Sequence, residues 1–169
     1  MFPLFSQILR GGILTEPLTG GADETFRVTA RRLSDEIVKR LGRSLAIREI
    51  DAGSCNGCEL EIHALGTPYY NIEAFGIKFT ASPRHADLLL VTGPVAKNME
   101  IALRRAYDAT PEPKLVVATG DCGCTGGIFA ESYACCGRVS NIIPVDVEIP
   151  GCPPTPLQLI QGILAAVAR

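Results

Sequence analysis

From Ser44 onward, short apolar runs alternate with segments of helical spacing. Leu45 to Ile50 and Lys114-Leu-Val-Val-Ala-Thr119 are runs of strand length. Ala86-Asp-Leu-Leu-Leu-Val-Thr-Gly93 is a continuous apolar run of the kind seen in strands buried on both faces. Asn141 to Ile149 supplies a fourth run. Between and after these runs lie Glu59 to Leu65, ended by Gly66 and Pro68, then Ala96 to Ala109, then Pro156 to Val167, all with helical periodicity. Tyr69 to Phe79 is mixed and reads as a short strand or loop. Upstream, Thr25 to Leu41 sets Phe26, Val28, Leu33, Ile37, Val38 and Leu41 at helical spacing, with Arg31, Arg32, Asp35, Glu36, Lys39 and Arg40 as a solvated face. Before it, Phe2, Leu4, Phe5, Ile8 and Leu9 form an apolar patch, followed by a stretch with Gly11-Gly12, Pro17 and Gly20-Gly21 that reads as an extended linker.

Strands that alternate with helices predict an α/β fold: a single open parallel sheet flanked by helices, of the flavodoxin-like kind. Residues 1–43 read as an N-terminal arm and helix, and residues 44–169 as the α/β domain proper. The arm at residues 2–9 is either a docking element toward a partner or a segment that folds back on its own domain. At 169 residues the chain is long enough to bury one core, and 47% apolar with 20% charged residues describes a water-soluble globular protein. A net charge of −2 gives no electrostatic basis for binding nucleic acid or a lipid surface. No run approaches the roughly 18 apolar residues of a membrane-spanning helix. The first ten residues lack the charged start and cleavage site of a secretory signal. The chain therefore reads as cytoplasmic, with any membrane attachment made through protein partners.

Cysteine placement adds the chemistry. There are seven, an odd number, and they cluster with glycine, which fits metal ligation in a reducing compartment better than disulfides. Cys55 and Cys58 form a CxxC pair in Asp51-Ala-Gly-Ser-Cys-Asn-Gly-Cys-Glu-Leu-Glu-Ile-His63, directly after the first predicted strand. Cys122 lies in a glycine-rich loop after the third strand, and Cys152 in Ile149-Pro-Gly-Cys-Pro-Pro154 after the fourth. In open parallel sheets, ligands sit beyond the carboxyl ends of the strands, so these four cysteines are expected at one edge, around one centre. Three occupants suit such thiols: zinc, an iron–sulfur cluster or a redox dithiol. Structural zinc usually takes two compact knuckles. Scattered third and fourth ligands suit a [4Fe–4S] cubane, which needs one thiolate per iron.

Three motifs in this order, Gly53-Ser-Cys-Asn-Gly-Cys-Glu-Leu-Glu61, Gly120-Asp-Cys-Gly-Cys-Thr-Gly-Gly-Ile-Phe129 and Ile143-Pro-Val-Asp-Val-Glu-Ile-Pro-Gly-Cys-Pro-Pro-Thr-Pro156, resemble one family. It comprises the iron–sulfur small subunits of energy-converting, membrane-bound [NiFe] hydrogenases and the related 20-kDa subunit of complex I. The resemblance spans residues 44–168. It implies one [4Fe–4S] cluster held by Cys55, Cys58, Cys122 and Cys152, which relays electrons between a ferredoxin-like subunit and a [NiFe] large subunit. It also implies membrane subunits as partners, a peripheral place on the inner face of the cell membrane, and no catalytic residue in this chain. Complex I subunits have adjacent first cysteines, whereas this chain has the hydrogenase-like Cys55-Asn-Gly-Cys58. Ordinary uptake hydrogenases carry further clusters in a C-terminal extension, and here 17 residues follow Cys152. Two alternatives stand: the same subunit in a complex I-like quinone or sulfur oxidoreductase, and a zinc-stabilised binding module.

The remaining polar and thiol groups read as structural. Cys124, Cys135 and Cys136 are expected as small buried hydrophobes. His63 either pairs with Glu59 on one helix face or is a surface residue. Glu61 matches a Glu of the complex I relatives, and a helix N-terminus that favours acids accounts for both Glu59 and Glu61. Tyr69, Tyr70 and Phe75 are expected in packing.

Overall fold

The computed structural model describes residues 24–169, so the apolar arm and the linker ahead of residue 24 lie outside it. The described chain runs α1 (Glu24–Leu41), β1 (Leu45–Asp51), α2 (Gly57–Leu65), β2 (Ile77–Phe79), β3 (Leu88–Thr92), α3 (Glu100–Ala109), β4 (Leu115–Thr119), α4 (Gly120–Thr125), β5 (Val147–Ile149) and α5 (Pro156–Val167). The strands form one sheet in the order β2-β1-β3-β4-β5, parallel throughout. This is the 2-1-3-4-5 order of flavodoxin-like sheets.

Period-two alternation divides the core. On β3, Leu88 and Leu90 face one apolar layer, and Leu89 and Val91 face the other. The first layer receives Phe26, Leu33 and Ile37 from α1, Ile62 and Leu65 from α2, and Leu159, Ile160 and Ile163 from α5. The second receives Leu103 of α3 with Val95, Val139 and Ile143 from the loops. All five residues of β3 are buried, as its continuous apolar run requires. Helix α1 is therefore part of the core, docked on α5, where the Arg40 guanidinium donates to the Val167 carbonyl at 2.7 Å. Helix α5 begins with a reciprocal cap: the Gln158 amide donates to Thr155 Oγ1 and the Thr155 amide donates to Gln158 Oε1.

Three segments differ in detail from expectation. The mixed region resolves into a 3-10 turn at Ile72–Phe75 and a short edge strand, β2. The fourth expected run shrinks to Val147–Ile149, because a 3-10 turn at Val139–Asn141 takes its start and Pro144 lacks an amide for the ladder. Cys122 lies on the short helix α4 rather than in a loop. Among the described residues, no helix is long and apolar enough to cross a membrane.

Candidate metal centre

Strands β1, β4 and β5 end at one edge of the sheet, and the segments that leave these three strands carry the four cysteines. After β1, Asp51 Oδ1 accepts hydrogen bonds from the amides of Gly53 (2.7 Å) and Ser54 (2.8 Å), which turns the chain sharply. Asn56, with φ 71°, then starts α2 and sets Cys55 just before the helix and Cys58 inside its first turn. Cys122 sits in α4, directly after β4, and Cys152 follows β5 by three residues. The β4 and β5 exits are tied reciprocally. The Asp121 amide donates to the Gly151 carbonyl at 2.9 Å, and the Gly151 amide donates to Asp121 Oδ1 at 2.8 Å. The Cys152-Pro153 peptide is cis.

Glycines make the room. A Cβ on Gly120, whose φ is +82°, would lie 2.6 Å from Cys58 Sγ, so this position admits only a residue without a side chain. A Cβ on Gly127 would lie 2.8 Å from Cys122 Sγ. A Cβ on Gly57 would touch both Cys55 Sγ, at 3.6 Å, and the Pro153 ring, at 3.9 Å, so the first and last cysteine segments lie close together there. Cys55 and Cys152 are exposed, and Cys58 and Cys122 half-buried.

Cys58 and Cys122 each feel the other thiols electrically. Burial chiefly pushes the Cys58 thiol up, to about 12, with Glu59, Cys55, Cys122 and Cys152 each adding to the rise. Burial also raises Cys122, followed by Cys152, Cys55, Asp121 and Cys135. Ionising Cys58 or Cys122 is thus opposed by burial and by the neighbouring thiols, and a cation placed among them would relieve that opposition. Among the described residues, no group of three or more His, Cys, Asp or Glu side chains is arranged to hold a metal ion as it stands.

The other cysteines divide. Cys124 is buried as expected, its Sγ 3.7 Å from the Ala118 carbonyl, and burial raises its thiol to about 12. Cys135 and Cys136 are half-buried rather than core residues, because the 126–137 loop lies on the surface. Cys136 packs on the second core layer and donates to Glu100 Oε2 at 3.6 Å, while Cys135 lies within electrical reach of Cys122.

Glu59 lies in the first turn of α2, as expected, but deeper than an acid at a helix start need be. Its side chain is 6% exposed, with Oε1 accepting from the Thr92 hydroxyl and Oε2 without a partner. Thr119 Oγ1 is likewise buried without a partner, and Thr119 is the register partner of Thr92. A polar floor therefore lies under the strand ends beside Cys58. The signal was in the spacing: Glu59, Ile62 and Leu65 share the buried stripe of α2. His63 is exposed and lines a cavity of about 430 Å³ with Glu49 and Phe79, so the surface reading holds. Beyond the cysteines, Ile128 and Tyr133 are 91% and 89% exposed, with Phe129 at 41%.

Comparison with known proteins gives consistent matches. Residues 55–166 match the family described as the 20-kDa subunit of NADH ubiquinone oxidoreductase. The chain is 46% identical over 131 residues to formate hydrogenlyase subunit 7 of Escherichia coli, covering 78% of this chain but only 51% of that subunit. It thus spans about half the length of that relative. It is 45% identical over 134 residues to a probable membrane-bound hydrogenase subunit, mbhJ, of Pyrococcus furiosus, covering 79% and 80% of the two chains. Among solved structures, a chain of an archaeal membrane-bound sulfane sulfur reductase superposes with a TM-score of 0.67 at 34% identity, covering 80% of this chain and 74% of that one.

Proposed function

The chain belongs to the family of the 20-kDa subunit of NADH ubiquinone oxidoreductase, and from that premise we propose that it is an electron-transfer subunit of a membrane-bound hydrogenase complex. Cys55, Cys58, Cys122 and Cys152 hold one [4Fe–4S] cluster. The observation that carries this reading is the convergence of four cysteines, from three separate strand exits, on one edge of the sheet, with Cys58 and Cys122 each within electrical reach of the other three. The donor set and the glycine cradle fit the group. Four thiolates match four irons, and a cluster in which each thiolate binds its own iron does not require the sulfurs to meet at one point. Gly120 and Gly127 leave uncovered the flanks of Cys58 and Cys122, where side chains would collide.

When bound, the cluster supplies one-electron transfer between a ferredoxin-like subunit and a [NiFe] large subunit. The chain's own residues do the rest. The Asp121–Gly151 pair locks the third and fourth ligand segments together, and Asp51 fixes the first. Ile128, Phe129 and Tyr133 form an apolar rim that the large subunit covers, which keeps water from the site. Residues 44–169 carry the four cysteines, and α1 packs on them as part of the same core. Attachment to the inner face of the cell membrane runs through partner subunits.

The likeness to the sulfane sulfur reductase favours a second reading, in which the large subunit reduces sulfur rather than protons. Co-expression with the large subunit under anaerobic conditions tests the first. Hydrogen gas should bring up a reduced-cluster EPR signal in the wild-type complex and none with Cys122→Ser. A complex whose signal responds to polysulfide and not to hydrogen would transfer the chain to the second reading.

A further inference from the structure

At the opposite end of α2 from Cys58, a concavity of about 290 Å³ lies between the first two turns of α1 and the Pro68–Phe75 segment. Arg27 and Arg31 form one wall, and Tyr69, Tyr70, Asn71 and Phe75 form the other. The two arginines are four residues apart and share one face of α1. Phe26, buried and directly ahead of Arg27 in sequence, anchors the facing wall: its ring lies 4.8 Å from that of Tyr70, which in turn meets Tyr69 edge-on at 4.8 Å. The walls are therefore fixed against the core rather than hanging in solvent.

The polar groups of this concavity are uncommitted. Neither guanidinium, neither phenol nor the Asn71 side chain makes a hydrogen bond or ion pair among the described residues. By contrast, Arg40, Arg43 and Arg104 are all engaged. No carboxylate lines the cavity. Glu61 reaches Tyr70 electrically, after burial and Tyr69, and all three influences keep that phenol protonated as a donor. Every polar side chain in the wall can thus donate, and two carry full positive charge.

We propose that this concavity binds a phosphate ester. The planar guanidinium forks of Arg27 and Arg31 match phosphoryl oxygens pairwise. Tyr69, Tyr70 and Asn71 offer further donors that a two-oxygen carboxylate would leave unmet. Pro68, Ala74 and Phe75 give the organic part of the ester an apolar wall. The phosphoryl group comes either from a phospholipid headgroup or from a soluble ester, and the two sources share this chemistry. The site is separate from the cysteines and does not depend on what they bind.

The test uses the purified, detergent-solubilised complex containing the full chain, as wild type, as Arg27→Gln/Arg31→Gln and as Arg27→Lys/Arg31→Lys. Each is titrated calorimetrically with glycerol phosphate and with the short-chain lipid dihexanoyl phosphatidylglycerol. Both arginines are exposed, so the thermal midpoint should not move. The wild type binds at least one probe, and the glutamine variant binds it about tenfold more weakly or worse. The lysine variant falls between them, because charge remains while the fork is lost. Preference for the lipid assigns a headgroup, and preference for glycerol phosphate a soluble ester. Failure of both probes on the wild type, or equal binding by the glutamine variant, overturns the proposal. So does loss of a partner subunit from the glutamine variant without any phosphate binding, which would show an acidic protein segment as the occupant.

Discussion

Cys122 meets Cys55 and Cys152 electrically and Gly127 sterically, whereas Cys136 spends its thiol on Glu100. That contrast separates the proposed ligand from the bystander. Cys122→Ser should abolish the cluster EPR signal, and Cys135→Ser and Cys136→Ser should each keep it; loss of the signal in both of the latter, with the fold intact, would contradict the ligand assignment. Glu49 makes a prediction of a different kind. Burial, the largest influence, raises its carboxyl above 4.5, with His63 opposing. A raised folded value means that the carboxyl costs nothing below about pH 4.5, where both states are protonated, and disfavours folding as pH rises through the folded value. Glu49→Gln should therefore raise the thermal midpoint at about pH 8 and lose that advantage toward about pH 4.5. Equal midpoints at the higher pH would count against the burial argument. The residue scale was only partly legible in sequence. CxxC spacing and strand-end segments marked the four cysteines; the depth of Glu59 was written only in its spacing with Ile62 and Leu65, and its pairing with Thr92, 33 positions away, in no local pattern.

At the scale of elements, the glycines flanking the cysteines matter as much as the helices. Gly120→Ala places a Cβ 2.6 Å from Cys58 Sγ at a φ of +82°. Iron content should fall while far-UV circular dichroism stays near wild type, and full occupancy in this variant would show that the cradle is not needed. Helix α1 is tied to the core through the wholly buried Leu33. Leu33→Ala should cost about 2–5 kcal/mol in denaturant unfolding and leave cluster EPR unchanged in the folded fraction. Periodicity located the long elements because burial on one or both faces writes itself into the run, as at β3 and α1. It blurred β2, β5 and α4, each too short to carry a period. Their existence follows from neighbours: β2 completes the edge beside β1, and α4 is held by the strand end and the Gly151 loop.

The whole molecule presents one edge to its surroundings. Exposed Cys55 and Cys152 lie at the strand exits, and Ile128, Phe129 and Tyr133 stand on the loop that follows α4, in a protein whose other large apolar side chains mostly lie in two closed layers. An exposed apolar rim beside the proposed ligands is where the proposed large subunit would dock. Ile128→Ser/Phe129→Ser should sharply reduce co-purification of the large subunit while the isolated chain still folds, and unchanged recovery would move the interface elsewhere. Parallel topology was legible from alternating strands and helices, and it alone brings residues as distant as Cys55 and Cys152 to one edge. The central claim is that this edge binds four irons and four sulfides. Its most direct test is chemical analysis of the full-length protein, made anaerobically with iron in excess and purified with its partner, for iron, labile sulfide and zinc, with Cys122→Ser alongside. Wild-type minus variant should come to about four irons and four sulfides per chain, with a brown chromophore. Stoichiometric zinc and no labile sulfide, in a colourless chain, would contradict it.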